Sequence, residues 1–432
     1  MTIGTHHVNR RAFLKASGLA ASGALLGACA KGTDSASGGG PGAVTTNGWT
    51  DALHDYLMGP VVKAFTQQSG IKVEPQAGVP FDDYQTRFRT LLAGGAPPDI
   101  MRLNDDFLPE ISDKGLSQDL APYLAKSGLE EAGFLPGFEA SKLPSGRRGL
   151  VVASQVRCIF YNKTMFRKAG VPLPPSVWSP DGWTWDDFLR TAKALTEGTR
   201  QYGCSIVADS GYEEMWARNN GGPGAFSEDG RKFTLADPQG AEAIQWVADL
   251  TLKHRVQPAW GDIKPDDADR RLFQAGRLGM MLRVSGNIGF FTENQLDFEW
   301  DIAPVPAKVH QYQQGSSVLY IIPEAARHSE DAWKYLEFVI GEKGGTLVAE
   351  AGLAVPVNRK AAQRIKSPGK YPVSVRLLAQ GAEQSRLPSL TRASSAAMSL
   401  YRPQMERVYT GELTAAKALG GIRGQVESKL NA

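Results

Sequence analysis

Histidines and carboxylates are the side chains of this 432-residue chain that could perform acid–base or metal chemistry. Beyond the N-terminal region the histidines lack the spacing of zinc ligands; they are His54, His254, His310 and His328. Carboxylates are adjacent in "NDDF" and "PDDAD", but a glycoside hydrolase needs two of them across a pocket, which linear spacing does not show. The sequence contains no phosphate-binding loop, nucleophile elbow or His-Glu-x-x-His stretch. It therefore predicts no catalytic residue, no metal site and no cofactor.

An export signal is predicted at the start of the chain. Residues 10–15 read RRAFLK, which is similar to a twin-arginine signal, and the apolar run that follows is too short to span a bilayer. The stretch LGAC is similar to a lipobox, in which Cys29 would carry a lipid. We expect residues 1–28 to be a signal peptide and residues 29–42 to be a flexible, Gly- and Ser-rich tether. The mature protein is thus expected to be exported and lipid-anchored to the outer face of the cell membrane.

Positive and negative charges balance in the mature chain. The sequence has 48 Lys and Arg against 45 Asp and Glu, and loss of Arg10, Arg11 and Lys15 with the signal leaves 45 of each. Nucleic-acid binding needs a basic surface, so no nucleic acid is expected as a partner. The roughly 390 residues that follow the tether exceed one ordinary domain, which favours two.

Two cysteines remain once Cys29 is lipidated. Cys158 lies in "RCIFY" and Cys204 in "YGCSIV", both apolar and strand-like. An exported protein can form disulfides. A bridge between neighbouring strands and two separately buried thiols both remain open.

Short apolar runs alternate with helical patterns along most of the chain, which predicts an α/β architecture with mainly parallel sheets. Thr184 and Asp187 have the spacing of a capping box before "FLRTAKALT". A second helix is predicted from Ser329 to Gly341. After about residue 360 the apolar residues fall at helical spacing, so the C-terminal region is expected to be helical.

Several stretches, in their order along the chain, resemble the sugar-type extracellular solute-binding proteins of bacterial ABC importers, the group similar to maltose-binding protein. The resemblance covers nearly the whole mature chain. It is carried by "FTQQSGIKVE", "PPDIMRLNDDFLPEISDKGLSQDLAPYL", "FYNKTMFRKAGVPLPP", "GWTWDDFLRTAKALT", "WARNNGG", "FQAGRLGMMLRVSGN", "WDIAPVPA" and "DAWKYLEFVIGEKGG…AGLAVPVNRKAA".

The resemblance implies a two-lobe, periplasmic-binding-protein-like fold with several hinge crossings, which closes on a ligand held between the lobes. We expect the first lobe at residues 43–153 and 304–354, and the second at residues 154–303 and 355–432. The implied partners are a small-molecule ligand, expected to be a mono- or oligosaccharide, and the membrane permease of an ABC importer. The protein is expected to act as a monomer and not as an enzyme.

A sugar cleft should combine planar polar groups with aromatic faces. By the resemblance, Gln155 falls at the first hinge crossing, and Trp216 is expected to stack on the ligand. One of Asp105 and Asp106 is expected to cap the following helix and the other to bind. The full set of expected ligand-binding residues is Asn47, Trp49, Asp105, Asp106, Gln155, Tyr212, Trp216, Asn219, Asn220, Arg283, Asn287 and Tyr401. The tryptophans expected in the core are Trp183, Trp185, Trp246, Trp300 and Trp333.

The chain departs from the family pattern after "MM". Where the family often has Gly-Pro-Trp, this sequence has "SGNIG", so Ile288 replaces a common stacking tryptophan. A long oligosaccharide is therefore less favoured; Phe290 or Phe291 could supply a face, or Asn287 could hold a smaller polar ligand. The open alternatives are a polyol, a polyamine held by converging carboxylates, a sugar phosphate held by an arginine such as Arg157 or Arg283, and a twin-arginine-exported enzyme.

Overall fold

Helices and short strands alternate along the chain, as the sequence predicts. The computed structural model describes residues 42–179, 182–207, 211–265, 267–386 and 391–432. The expected signal peptide, Cys29 and the tether up to residue 41 lie outside these residues. Gly39–Ala432 forms one compact unit. Within the described ranges, no helix has the length and apolar character needed to cross a membrane.

The strands are β1 (Val44–Asn47), β2 (Val73–Pro75), β3 (Ile100–Leu103), β4 (Lys142–Leu143), β5 (Gly146–Arg147), β6 (Leu150–Asn162), β7 (Tyr202–Ser205), β8 (Leu278–Val284), β9 (Trp300–Ala303), β10 (Gly315–Ile321) and β11 (Val355–Pro356). The α-helices are α1 (Ala52–Tyr56), α2 (Val62–Ser69), α3 (Phe81–Ala93), α4 (Leu108–Asp113), α5 (Ala121–Lys126), α6 (Lys163–Ala169), α7 (Trp185–Leu195), α8 (Tyr212–Asn219), α9 (Pro238–Leu252), α10 (Trp260–Ile263), α11 (Ala268–Gln274), α12 (Asn287–Glu293), α13 (Ser329–Ile340), α14 (Glu342–Ala351), α15 (Arg359–Ala362), α16 (Arg376–Gln384), α17 (Ser394–Tyr409) and α18 (Ala415–Leu430). A wide π-helical turn, Leu57–Val61, joins α1 to α2, and short 3₁₀ turns occupy Asp105–Phe107, Glu131–Gly133, Pro136–Ser141 and Thr234–Ala236.

Local sequence signals set several of these boundaries. The Thr184 hydroxyl accepts a hydrogen bond from the Asp187 amide at 3.1 Å, and the Asp187 carboxylate accepts one from the Thr184 amide at 3.0 Å. The predicted capping box at the start of α7 is therefore confirmed. Helix α13 and the three C-terminal helices α16, α17 and α18 confirm the other helical predictions.

The main sheet is mixed, with strand order β2-β1-β3-β10-β6-β8-β7, and β9 and β11 also pair with β6. Strand β1 pairs in parallel with β2 and β3, and β7 pairs in parallel with β8. Strand β6 pairs antiparallel with β8, β9, β10 and β11. The expectation of mainly parallel sheets is therefore wrong, because the strands that flank the long strand β6 run opposite to it.

Two hydrophobic cores lie along β6. The first core contains residues 150–153 of this strand with side chains from β1, β3, β10 and α13. The second core contains Val156 and residues 158–161 with side chains from α7, α8, α9, β8 and α17. Ser154 and Gln155, which are polar, lie between these two sets. The change from one core to the other thus falls within a single strand.

The tryptophans expected in the core lie there. Trp183, Trp185 and Trp300 are buried in the second core and Trp333 in the first. Trp246 is partly buried and packs against the second core.

Cys158 and Cys204 are both buried and are not bonded to each other, so the structure favours two separate thiols over a disulfide. Cys158 lies in β6 and Cys204 in β7, with β8 between them. Two strand spacings separate their backbones by about 10 Å, whereas a disulfide requires Cα atoms within about 7 Å. Burial also raises the pKa of the Cys204 thiol, which keeps it protonated and unreactive.

We predict that neither thiol of Gly39–Ala432 reacts with an alkylating reagent under native conditions and that both react after unfolding in guanidinium. Intact-mass spectrometry before and after unfolding measures this. Native alkylation of either cysteine, or a mass 2 Da lower in the oxidised protein, would contradict the assignment.

Candidate functional site

Polar side chains gather where β6 passes from the first core to the second. Gln155 and Arg157 are two residues apart on this strand, so they share one face. Gly286, which follows β8, approaches Gln155 so closely that a Cβ there would lie 2.7 Å from the Gln155 amide nitrogen. A Cβ on Gly211 would lie 3.3 Å from the Arg157 guanidinium. Backbone at two glycines therefore packs directly on this polar face.

A cavity of about 320 Å³ lies beside Gln155, and we call it the boundary cavity. Its walls come from both sides of the boundary. The first-core side contributes Thr50, Asp51, Ala52, Leu53 and Leu353, and the second-core side contributes Arg270, Val284, Gly286, Asn287, Phe290 and Glu293.

Charged groups in the boundary cavity are mostly paired. Asp51 accepts hydrogen bonds from the Arg102 guanidinium at 2.8 Å and from the Trp49 indole at 2.9 Å. Arg270 pairs with Asp267, and its guanidinium lies over the Phe290 ring at 4.8 Å from the centroid. The cavity therefore combines nearly balanced charge with one aromatic surface.

The segment Gln311 to Ser317, which leads into β10, carries buried polar atoms that have no hydrogen-bond partner among the described residues. Buried polar atoms are normally hydrogen-bonded, because leaving one unpaired costs about 1–3 kcal/mol. This segment, which we call the glutamine segment, can therefore accept hydrogen bonds from a bound solute. The atoms are the side-chain carbonyl oxygens of Gln311, Gln313 and Gln314 and the hydroxyls of Tyr312 and Ser317.

Two adjacent carboxylates approach the glutamine segment from the end of β3. Asp105 accepts a hydrogen bond from the Ser317 amide at 2.9 Å. Burial raises the pKa of Asp105 to about 6, although this hydrogen bond works to lower it. Burial also raises the pKa of Asp106, whose Oδ1 has no partner among the described residues. The Asn104 side chain caps the turn Asp105–Phe107, and helix α4 after this turn has no side-chain cap, so the expectation that one of the two aspartates caps the following helix is corrected.

Four of the expected site residues meet at this boundary. Gln155 and Asn287 line the boundary cavity, Asp105 bonds to Ser317 of the glutamine segment, and Asp106 follows Asp105 in the same turn. Asn287 donates to the Val284 carbonyl at 3.1 Å, which leaves its oxygen directed towards Arg270 at 3.5 Å.

The expectation that Trp216 stacks on a ligand does not fit the structure. Its side chain is 0% exposed, and its ring packs edge-on against Trp185 and Trp246 at 5.7 and 5.3 Å. Trp216 points into the second core because α8 packs against α9, which carries Trp246. Its ring is therefore a packing element.

Tyr212 and Tyr401 are likewise corrected from ligand contacts to core residues. The Tyr212 and Tyr409 hydroxyls lie 2.7 Å apart, and the Tyr401 hydroxyl donates to Glu213 at 2.8 Å. All three tyrosine rings are buried in the second core.

The remaining second-core residues of the expected set are held by the protein itself. Asn220 donates to the Gln239 carbonyl at 2.9 Å, and Arg283 forms a buried ion pair with Asp269. Asn219 donates to the Tyr312 carbonyl at 3.1 Å, which attaches the end of α8 to the glutamine segment.

Asn47 and Trp49 lie behind the boundary cavity on the first-core side. Asn47 is fully buried and donates to Gln76 at 3.2 Å. The Arg102 guanidinium lies 3.7 Å from the Trp49 ring centroid and covers one face. Trp49 therefore positions Asp51, and it does not line the boundary cavity.

Sequence reasoning missed Arg270, Glu293 and the glutamine segment. The signal that could have revealed the segment is "QYQQGSS", a run of uncharged polar residues directly before an apolar strand. Polar side chains in such a position become buried at the boundary without entering a core. In the described part of the chain, His, Cys, Asp and Glu side chains form no group of three that could hold a metal ion.

Comparison with known proteins adds a family match. The family model described as bacterial extracellular solute-binding protein matches residues 50–346. This range includes both walls of the boundary cavity except Leu353, and it includes the glutamine segment.

Similar proteins bind sugars and a related polyol. The chain superimposes on an ABC substrate-binding protein of Listeria monocytogenes in complex with cycloalternan, with 22% identity, coverage of 90% and 99% of the two chains and a TM-score of 0.79. A solute-binding protein of Thermotoga lettingae bound with alpha-D-tagatose has the same identity and coverage and a TM-score of 0.77. An erythritol/L-threitol-binding protein of Mycolicibacterium smegmatis is 24% identical over 420 residues, which cover 82% of each chain. The two structural matches share the two-lobe fold with this chain.

We predict that Trp216→Ala lowers the free energy of unfolding by about 3–5 kcal/mol, as expected for removing a fully buried indole. Denaturant unfolding without any ligand measures the loss. Val373→Ala is the control, because Val373 is 66% exposed and its truncation should change stability by less than about 0.5 kcal/mol. A Trp216→Ala loss as small as that of the control would place the indole outside the core.

We predict that Asp105 makes stability fall as the pH rises through about 6. Its pKa is raised in the folded protein, so its stabilising contribution is full below about pH 4 and is lost as the pH rises through the folded value. Asp105→Asn keeps an acceptor for the Ser317 amide without titrating. The free energy of unfolding of the variant, relative to that of the wild type, should increase by about 2 kcal/mol between pH 4 and pH 7, as measured by denaturant unfolding. A stability difference that does not vary with pH would contradict this.

Proposed function

This chain belongs to the family of bacterial extracellular solute-binding proteins, and we propose that it captures a neutral polyhydroxyl solute, a carbohydrate, for import by the permease of an ABC transporter. The observation that carries the proposal is the glutamine segment, in which Ser316 is the strand partner of Gln155 on the wall of the boundary cavity. Its side chains offer several buried acceptor atoms that no described residue satisfies. A solute rich in hydroxyl donors would satisfy them.

The charge balance of the site favours a neutral solute over the charged alternatives. A polyamine needs converging carboxylates, but Asp105 and Asp106 lie in the field of Arg157 and Arg402. A sugar phosphate needs several cationic groups that face no carboxylate, but Arg283 is bound to Asp269, and the charges of Arg157 and Arg402 act on Asp105 and Asp106. Hydroxyl groups avoid both conflicts, because they donate to a carboxylate or accept from a guanidinium at little desolvation cost.

The aromatic surface of the boundary cavity is limited to Phe290, and this favours a small solute. Trp216 and Tyr401 are buried in the second core, and Trp49 is covered on one face by Arg102. A monosaccharide ring could lie against the face of Phe290 that Arg270 does not cover. A polyol is the second candidate, supported by the absence of an exposed indole among the described cavity residues and by the likeness to the erythritol/L-threitol-binding protein.

Solute capture would work through closure of two lobes around the boundary. We assign residues 43–153 and 304–354 to the first lobe and residues 154–303 and 355–432 to the second. Most members of the two hydrophobic cores agree with this division, whereas Val305, Ala307 and Ala349 pack in the second core. Only a solute that binds the closed form better than the open form shifts the protein towards closure. The protein then needs no catalytic step, and it would act as a monomer.

A lipid anchor would keep the receptor beside its permease. We propose that the twin-arginine signal exports the chain and that Cys29 carries the lipid, so that the protein is held at the outer face of the cell membrane. Residues 30–42 would then act as the tether. Tethering raises the effective concentration of the receptor at the permease.

We predict that one class of neutral polyhydroxyl compounds raises the melting temperature of Gly39–Ala432 in a concentration-dependent manner. A ligand that binds only the folded state stabilises it by mass action. The panel should contain tetritols, pentitols, hexoses, disaccharides, polyamines and sugar phosphates. Calorimetry should then show one-to-one binding with no consumption of the compound.

For the best compound of this panel, Gln155→Ala should weaken binding about tenfold, since it removes a hydrogen-bonding group from the cavity wall. Gln363→Ala is the matched control, because Gln363 is exposed after α15 and away from the cavity. Polyamines or phosphates as the only hits would refute the neutral-solute proposal, and consumption of any compound would indicate an enzyme.

A further inference from the structure

A buried ion pair in the second lobe lies close to the boundary. Glu213, in the first turn of α8, is 3% exposed and accepts hydrogen bonds from the Tyr401 hydroxyl at 2.8 Å and from Arg402 Nε at 3.2 Å. Burial works to raise the pKa of Glu213, but the charge of Arg402 and these hydrogen bonds outweigh it and hold the pKa below its usual value. Glu213 therefore stays ionised and fixes the position of Arg402.

Arg402 keeps donors available on the side away from Glu213. The bond to Glu213 uses Nε, and the terminal guanidinium nitrogens make no hydrogen bond to any described residue. The side chain is 41% exposed although its partner is buried. The pKa of Arg402 is raised by Glu213, and to a smaller degree by Tyr401 and Asp106, so the guanidinium remains charged at all ordinary pH values.

Asp106 faces Arg402 from the first lobe. The turn Asp105–Phe107 packs against α17, the helix that carries Arg402. Burial raises the pKa of Asp106. Two positive charges oppose this effect, and Arg402 lowers the pKa more than Arg89 of the first lobe does. No hydrogen bond joins Asp106 to Arg402 in the described part of the chain, so the two charges attract across a gap.

We propose that Asp106 and Arg402 form an electrostatic contact between the lobes that favours the closed form, and that Glu213 is the residue that positions Arg402 for it. This inference rests on the proposed function, because it concerns how the same site closes. The attraction strengthens as the lobes approach, since both the separation and the screening by water decrease. Arg157 of β6 acts on Asp105, whereas Arg402 acts on Asp106.

The test is a double-mutant cycle on the closing equilibrium of ligand-free Gly39–Ala432. This unit contains both hydrophobic cores and can be expected to fold alone. Dyes on exposed Lys63→Cys and Lys417→Cys report the distance between the lobes by single-molecule fluorescence transfer. The native Cys158 and Cys204 are buried and do not compete for the dyes. Asp106→Asn and Arg402→Gln should each reduce the closed-to-open ratio about fivefold, and the double variant should reduce it no further than either single variant.

A matched control lies on the same helix. Glu406 of α17 pairs with Lys264 at 2.7 Å on the exposed surface, so Glu406→Gln removes an ion pair from this helix without touching Asp106. This variant should leave the ratio unchanged. Glu213→Gln should reduce the closed-to-open ratio as Arg402→Gln does, but only when Asp106 is present. A general loss of structure would reduce the ratio whether or not Asp106 is present.

Additive effects of Asp106→Asn and Arg402→Gln, or no shift in either single variant, would overturn the inference. The cycle uses no ligand, so it is independent of the thermal-shift screen. A protein that binds sugars but shows no coupling would lose only this inference. Coupling in a protein that ignores all neutral polyhydroxyl compounds would refute the proposed ligand and leave the interlobe contact in place.

Discussion

Strand β6 runs through both hydrophobic cores. Strand β6 has 13 residues, and at about 3.3 Å per residue it extends for about 43 Å. Its first residues pack in the first core and its last in the second, so neither core can move without bending or rotating this strand. The polar residues Ser154 and Gln155 mark the change. A strand continuous through both cores keeps the two walls of the boundary cavity in register while allowing the angle between them to change.

Buried polar groups that stay unpaired between the two cores would destabilise the folded protein unless a ligand binds them. The glutamine segment is paired with β6 next to Gln155 and is bonded to Asp105, and several oxygen atoms of this segment and of Asp106 have no partner among the described residues. In a receptor that closes around its solute, such atoms make the closed form unfavourable without the solute. Solute hydroxyls that pair with them then supply the differential free energy that drives closure. Attraction between Asp106 and Arg402 would offset part of the cost.

Helices and caps that depend on local sequence patterns could be predicted. The burial of side chains that pack against distant segments could not. The capping box of Thr184 and Asp187 and the C-terminal helices follow from spacing within one segment. Trp216 is different, because whether its indole faces a cleft or a core depends on Trp185 and Trp246, which come from other helices. The direction of the strands beside β6 also depends on the path of the whole chain, which local patterns do not contain.

The candidate site shows the same division. Gln155 and Asn287 reach the cavity wall as the sequence suggests, because each lies at or just beyond the end of a buried run. Asn104, rather than either following aspartate, caps the next turn, a choice that a run of three capping-type residues leaves open. The glutamine segment has no motif, and its burial becomes visible only when Arg386 and Asn219 are seen to pair with its backbone.

The most direct test of the central claim is a crystal structure of Gly39–Ala432 grown with the polyhydroxyl compound that stabilises it most. We expect the compound at the boundary, with its hydroxyl oxygens about 2.7–3.2 Å from the side chains of Gln314, Ser317 and Asp106 and its carbon skeleton against Phe290. A compound bound elsewhere, with these side chains hydrogen-bonded only to water, would contradict the account.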